Sequence, residues 1–338
     1  MTKLSVIIPC YNNGNYLKEM MDCCIRQTFK DWELIIVDDQ SNDKLTHVII
    51  KEYTTKDKRI KFFIRDREPK GSVTCRNIGF SHALGEYIIH FDADDLISTS
   101  CFENRIKFME TNPDCDYASF PANEFRNANE LPSFQKEGAK YGIRCKGKDL
   151  LESFLKVNYS FSTWNNIYRK KSLENILWDE NVKIYTDFAF IIAGIFGGLK
   201  HKFSELKELD YFYRVEHSKN AMTSSFVNSD KNSSTLRLFT NVLLHLSEKN
   251  NKELRKKQFL KFIILHFERM IFGGVEITDL NKYLNMIYNY YNFNIYLRFK
   301  IFVILYRYDI KNKYLYMFLE TILFFEKKYL KSLYNKLS

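Results

Sequence analysis

The chain has 338 residues, 45% hydrophobic and 27% charged, an ordinary globular composition with length enough for two domains. Its net charge of +10 lies at one end: residues 231–338 carry 19 Lys and Arg against 8 Asp and Glu, and the remainder is nearly neutral. Seven cysteines form no C-x-x-C pair, no run approaches the roughly 18 apolar residues of a spanning helix, and no leader precedes the first strand, so a cytoplasmic protein with reduced thiols is expected.

Residues 5–8 read as a first strand from their β-branched run, followed by a helix over 15–28. A second strand over 33–37 ends at Asp38-Asp39, and Ser41 or Asn42 is placed to cap a helix reaching about residue 53. A third strand is expected at 60–63 and a third helix at 73–84. The apolar run 87–91 is a fourth strand, and it delivers Asp92-Ala93-Asp94-Asp95 at its end. This alternation predicts a mostly parallel, doubly wound α/β sheet. Pro9, Asp38-Asp39 and Asp92–Asp95 are then expected to follow strand ends, along the edge where such sheets bind ligands.

That edge has neither a G-x-G-x-x-G loop nor a G-x-x-x-x-G-K-[ST] loop, which excludes the usual dinucleotide and P-loop chemistries. Instead Pro9-Cys10-Tyr11-Asn12 offers an aromatic face and an amide. Asp38-Asp39 offers acceptors for a base or ribose. The acidic tetrad offers oxygen ligands suited to Mg²⁺ or Mn²⁺ bound with a diphosphate. Together they describe a nucleotide-diphosphate site.

These residues also carry a family resemblance. The segment from Ser5 to Asn12, the element Ile35-Ile36-Val37-Asp38-Asp39-Gln40-Ser41-Asn42-Asp43, the glycine-bounded block Gly71–Gly79 with Arg76-Asn77, and Gly85 onward to Asp95 resemble family 2 glycosyltransferases of the GT-A fold. Gln40 stands where the family has Gly. The resemblance implies that Pro9, Tyr11 and Asn12 shape the nucleobase pocket and that Asp39 accepts from the base. It places Arg76 and Asn77 near donor phosphates or ribose. Asp92 and Asp94 would serve the ribose and the metal, with Asp94 the firmest ligand, and Asp95 is left unassigned.

Further along, Trp164-Asn165-Asn166-Ile167-Tyr168-Arg169 and Tyr185-Thr186-Asp187 resemble the family's acceptor-side elements, with Thr186 replacing the usual Glu. Asp187 is the implied catalytic base; the plainer reading is a helix cap for residues 188–196. Tyr211-Phe212-Tyr213-Arg214 resembles another family element, from which Arg214 and His217 are expected near diphosphate and metal, with a closing loop over 221–226.

The domain organisation expected is a nucleotide-sugar half over 1–110, an acceptor half over 111–228, a linker at 228–234 and a basic, aromatic helical region over 235–338. Helices are expected there at 236–246, 253–272, 279–291, 294–306 and 314–337. Interleaved cations and aromatics suit an anionic membrane interface, here the inner face. No nucleic-acid motif is present.

The function implied is an inverting, metal-dependent transfer of one sugar from a UDP-linked donor to a glycan or polyprenyl-linked acceptor, in cell-surface polysaccharide assembly. The absence of Q-x-x-R-W argues for a non-processive enzyme. Alternatives are a sugar-1-phosphate nucleotidylyltransferase, which the Pro9–Asn12 segment opposes in place of a Gly-rich loop, and a non-catalytic nucleotide-sugar-binding protein, suggested by Thr186.

Overall fold

The computed structural model describes residues 2–126, 139–142, 149–157, 161–206, 208–215, 229–248, 252–272 and 276–307. The chain divides into two compact units, Met1–Ser224 and Ser225–Ser338.

In the first unit, β1 (Leu4–Cys10), α1 (Gly14–Ile25), β2 (Trp32–Asp38), α2 (Lys44–Lys56), β3 (Ile60–Ile64), α3 (Ser72–His82) and β4 (Tyr87–His90) follow the expected alternation. After them come β5 (Leu96–Ile97), α4 (Cys101–Thr111), β6 (Tyr117–Ser119), β7 (Ala122–Phe125), α5 (Leu150–Leu155), β8 (Asn166–Arg169), α6 (Thr186–Phe196), β9 (His201–Phe203) and β10 (Tyr211–Arg214). A seven-stranded sheet runs β3-β2-β1-β4-β8-β6-β9, and a three-stranded sheet runs β5-β10-β7. In the larger sheet only β8 runs antiparallel to its neighbours, so the sheet is mostly parallel.

Every residue of β1 and β2 is buried, as strands covered on both faces require. On one face Val6, Ile8, Leu34 and Ile36 pack with Leu17, Met20, Ile49 and Ile50 from α1 and α2. On the other, α3 lies so close that a Cβ on Gly79 would meet the Ile7 side chain at 2.4 Å. Only glycine allows that approach.

Pro9 lies inside β1, not after it, paired with Val37 of β2. The reason it is tolerated fixes the site. Pairing between β1 and β4 ends at Ile7–His90, with the Phe91 amide donating to the Ile7 carbonyl. Residues 7 and 9 of β1 direct their peptide groups to the same side. The missing N–H of Pro9 therefore faces the point where β1 and β4 have parted. The parting strands open a crevice at the sheet's carboxyl edge, the usual ligand position where strand order reverses.

Asp43, one or two residues beyond the expected caps, starts α2 by accepting from the Thr46 amide at 2.9 Å. Ser41 and Asn42 are occupied in the loop below.

Arg105 and Asp210 form a bidentate ion pair at 2.7 and 2.9 Å, with both side chains fully buried. Arg105 also donates to the carbonyls of Trp164 (3.3 Å) and Asn166 (3.1 Å), so α4 holds the segment leading into β8. Arg105→Met leaves the Asp210 carboxylate uncompensated, and the expected cost is ~3–5 kcal/mol in urea unfolding. A loss below about 1 kcal/mol would mean that the pair is not isolated from water.

The second unit contains α7 (Ser229–Ser247), α8 (Lys252–Phe272), α9 (Ile277–Tyr290) and α10 (Phe293–Arg307). Residues 229–234, expected as linker, are instead the first turns of α7. Asn232, Ser234 and Thr235 are buried there, and the Tyr283 hydroxyl donates to the Asn232 carbonyl at 2.9 Å. Ser and Asp at a helix start are good N-terminal residues, so the same composition serves a linker or a helix beginning. The helix expected at 314–337 lies outside the described residues.

Candidate active site

Two loops at the carboxyl edge are locked together by unusual backbone. Asn12 (φ 51°) and Gln40 (φ 59°) both sit in the left-handed region. The Asn12 side-chain carbonyl accepts from the amides of Asn42 (2.9 Å) and Asp43 (3.2 Å), and its own amide donates to the Ser41 hydroxyl at 2.9 Å. Asn12 thus ties the two loops together, with its oxygen already engaged. Gln40 explains the family's glycine: the position needs positive φ, which glycine adopts without cost. Gln40 anchors the strained turn by donating to the Arg65 carbonyl at 3.0 Å.

Tyr11 is 40% exposed, and the Lys70 ammonium lies 3.7 Å from its ring centroid, a cation–π contact over the aromatic face. Asp39 is buried and accepts on Oδ1 from Arg65 Nε at 2.5 Å and from the Gly71 amide at 3.3 Å. Asp38 turns inward, accepting from the Ser41 amide and hydroxyl. Of the acidic pair, Asp39 alone lies near the Gly71 loop.

The tetrad after β4 separates into different roles. Asp95 is fully buried and accepts from the Tyr211 hydroxyl and, at 2.7 Å, from the Arg214 amide, which fastens the turn to β10. Both oxygens of the residue left unassigned are thus engaged within the protein. Asp94 has no side-chain partner among the described residues beyond its own backbone amide. Burial raises its pKa, against the nearby charges of Arg214 and Arg76. Asp92 keeps 30% side-chain exposure and accepts from Arg76. Its carboxyl is pushed up to about 6, first by burial and then, against Arg76, by the charges of Asp94 and Asp187.

Arg76 is not on the helix surface. It is buried against Asp92 and over the Trp178 ring, and its Nε has no hydrogen-bond partner among the described residues. Asn77 beside it is buried. Its amide donates to the Trp178 carbonyl (2.9 Å) and to Glu180 (2.8 Å), and its oxygen accepts from the Trp178 amide (3.0 Å). These bonds clamp α3 to residues 178–180 and use both N–H donors of the Asn77 amide.

Asp187 occupies the first turn of α6, two residues past the N-cap position. The residue at the cap, Tyr185, has φ 58°. The buried hydroxyl of Thr163 donates to Asp187 Oδ1. Tyr213 joins the two halves of the site: its phenol is pushed up to about 12 by burial and then by Asp95, Asp92, Asp94 and Asp187. Four carboxylates therefore act on one neighbourhood. His217 and the loop 221–226 lie outside the described residues.

Among the described residues no group of three or more His, Cys, Asp or Glu side chains is arranged to hold a metal ion. Mg²⁺ and Mn²⁺ do not require one, since one or two carboxylates commonly share them with substrate phosphates and water. The all-oxygen donor set of Asp92 and Asp94, one carboxylate almost unpartnered and the other raised by burial and by neighbouring negative charge, fits such an ion.

Sequence reasoning missed the Thr163–Asp187 bond, the Asn77 clamp and the Lys70 cover, since each joins residues whose proximity only the fold creates. Positive φ at Gln40 was signalled by the glycine usual at that position.

Residues 5–177 match the model for Glycosyl transferase family 2. An uncharacterized glycosyltransferase of Methanocaldococcus jannaschii is 33% identical over 222 residues, covering 65% of this chain and 73% of that protein. The minor teichoic acid biosynthesis protein GgaB of Bacillus subtilis is 30% identical over 273 residues, covering 78% of this chain but only 28% of GgaB. Among solved structures, S. aureus TarS 1-349 in complex with UDP-GlcNAc superposes with a TM-score of 0.64 at 18% identity, covering 90% of this chain and 87% of that one. At that identity the likeness is one of fold.

Proposed function

The chain belongs to glycosyl transferase family 2, and from that premise we propose that it moves one sugar per encounter from a UDP-linked donor, with inversion, to a hydroxyl of a glycan or polyprenyl-linked acceptor. The resemblance to GgaB and TarS supports a place in cell-surface polysaccharide assembly and a UDP-sugar donor.

The observation that carries this reading is the pairing of a carboxylate at Asp94, free among the described residues and beside Asp92 just after β4, with an Asp187 carboxylate held at the start of α6 by the Thr163 hydroxyl. A base on one side of a bound sugar and diphosphate-holding carboxylates on the other are what an inverting displacement requires. Tyr11, Asn12 and Asp39 line the nucleotide end of the crevice, with Pro9 supporting it from within β1. Arg76 holds Asp92 in place. Asp187 takes the proton from the acceptor hydroxyl as its oxygen bonds to the anomeric carbon. The bond from that carbon to the diphosphate breaks, and its electron pair leaves with the nucleotide. Mn²⁺ or Mg²⁺ at Asp92 and Asp94 would supply positive charge to the departing diphosphate. The test is UDP release from UDP-glucose, UDP-galactose and UDP-N-acetylglucosamine with Mn²⁺ and with EDTA. Release that EDTA leaves unchanged would remove the metal from the proposal.

The basic region is proposed to dock on anionic lipid beside the acceptor. In support, Tyr288 and Phe293 are exposed on either side of the turn between α9 and α10, and Lys300 lies 5.7 Å from the Tyr296 ring. Each engaged cation contributes about 1 kcal/mol, so a few give measurable binding that salt weakens. Co-sedimentation with phosphatidylserine vesicles is expected to exceed that with neutral vesicles and to fall as salt rises. Equal, salt-independent recovery would leave the region as packing.

A further inference from the structure

Asp187 is held in position by a residue from another element. The segment before β8 is a rigid mount. Asn165 accepts from the Ser162 amide (2.9 Å) and donates to the Phe120 carbonyl (2.9 Å), while the Ser119 hydroxyl donates to Asn166 (2.6 Å). Arg105, itself locked to Asp210, holds the carbonyls on either side of Asn165. Thr163 sits on this mount with 1% exposure, and its hydroxyl has Asp187 Oδ1 as acceptor. Asp187, half-buried, has no partner for Oδ2 among the described residues. Its sequence neighbour Thr186 brings no second carboxylate.

We propose that Thr163 is a positioning residue: its hydroxyl fixes the Asp187 carboxylate so that Oδ2 faces the acceptor hydroxyl, which supplies by a neutral donor the orientation an adjacent Glu would otherwise give. A neutral donor suits this bond, because an ionised carboxylate in its place could not donate to Asp187 and would repel it. This inference rests on Asp187 being the base.

The test compares Thr163→Val, Thr163→Ser and Asp187→Asn, singly and with Thr163→Val combined with Asp187→Asn, by UDP release from the three UDP-sugars with water as acceptor. Thr163→Val is expected to lower kcat about 10-fold, the loss of one well-placed hydrogen bond to a charged group. The donor KM should stay within about twofold, since the nucleotide end is untouched. Thr163→Ser should retain near-normal kcat, and valine should add nothing once Asp187 is Asn. If the valine protein does not fold, Thr163→Ala takes its place, removing the hydroxyl without adding a methyl. Impaired Asp187→Asn with normal Thr163→Val overturns this inference alone, as does a valine effect of equal size in the Asp187→Asn background. Normal turnover by Asp187→Asn, or no UDP release by the unmodified protein from any of the three donors, overturns the reading beneath it.

Discussion

Asp187→Asn is expected to lower turnover by about 10²–10⁴-fold, the range for loss of a general base. Asparagine keeps the volume and can still accept the Thr163 hydroxyl bond, so α6 and the mount should be undisturbed. Donor affinity should change little, because Asp187 approaches the site from the acceptor side. Steady-state UDP release and UDP calorimetry separate the two effects. A mutant that keeps normal turnover at saturating acceptor would place the base elsewhere. Tyr213 is a poor substitute, since burial pushes its phenol up to about 12.

Asp94→Ala is the second large effect. Among the described residues the Asp94 carboxylate makes no bond to another residue that would hold the fold together, so the protein should fold normally. What should vanish is the tightening of UDP binding by Mn²⁺, together with nearly all transfer. Asp95 offers the contrast, since its carboxylate holds β10 through Tyr211 and Arg214. Calorimetry of UDP with and without Mn²⁺ decides the matter for Asp94. An unchanged Mn²⁺ dependence in the alanine variant would free Asp94 of the metal role.

Much of the first unit was legible because its strands are short β-branched runs punctuated by Gly, Pro and Asp. β1, β2, β3 and β4 begin and end within about two residues of expectation. Pro9 was misplaced because proline normally ends a central strand, and only the parting of β1 from β4 lets it remain inside one. The division of the tetrad was not legible. Asp92, Asp94 and Asp95 are chemically alike, and only their three-dimensional partners make one structural and leave another open. Asn77 shows the same limit: its clamp on Trp178 joins residues a hundred positions apart. In the second unit the periodicity of α8 and α9 was readable. The start of α7 was not, because buried Asn232 and Thr235 look in sequence like loop residues.

In the proposed reaction the nucleotide lies at Tyr11, Asn12 and Asp39, the diphosphate at Asp92 and Asp94, and the acceptor beside Asp187. A single displacement across that arrangement must invert the anomeric carbon. The most direct measurement is proton NMR of the sugar first released when the protein hydrolyses UDP-N-acetylglucosamine, an α-linked donor, in the presence of Mn²⁺. The account predicts that the β anomer appears first and the α anomer only later, by mutarotation in solution. Initial release of the α anomer would mean retention, and would contradict a single base opposite the diphosphate.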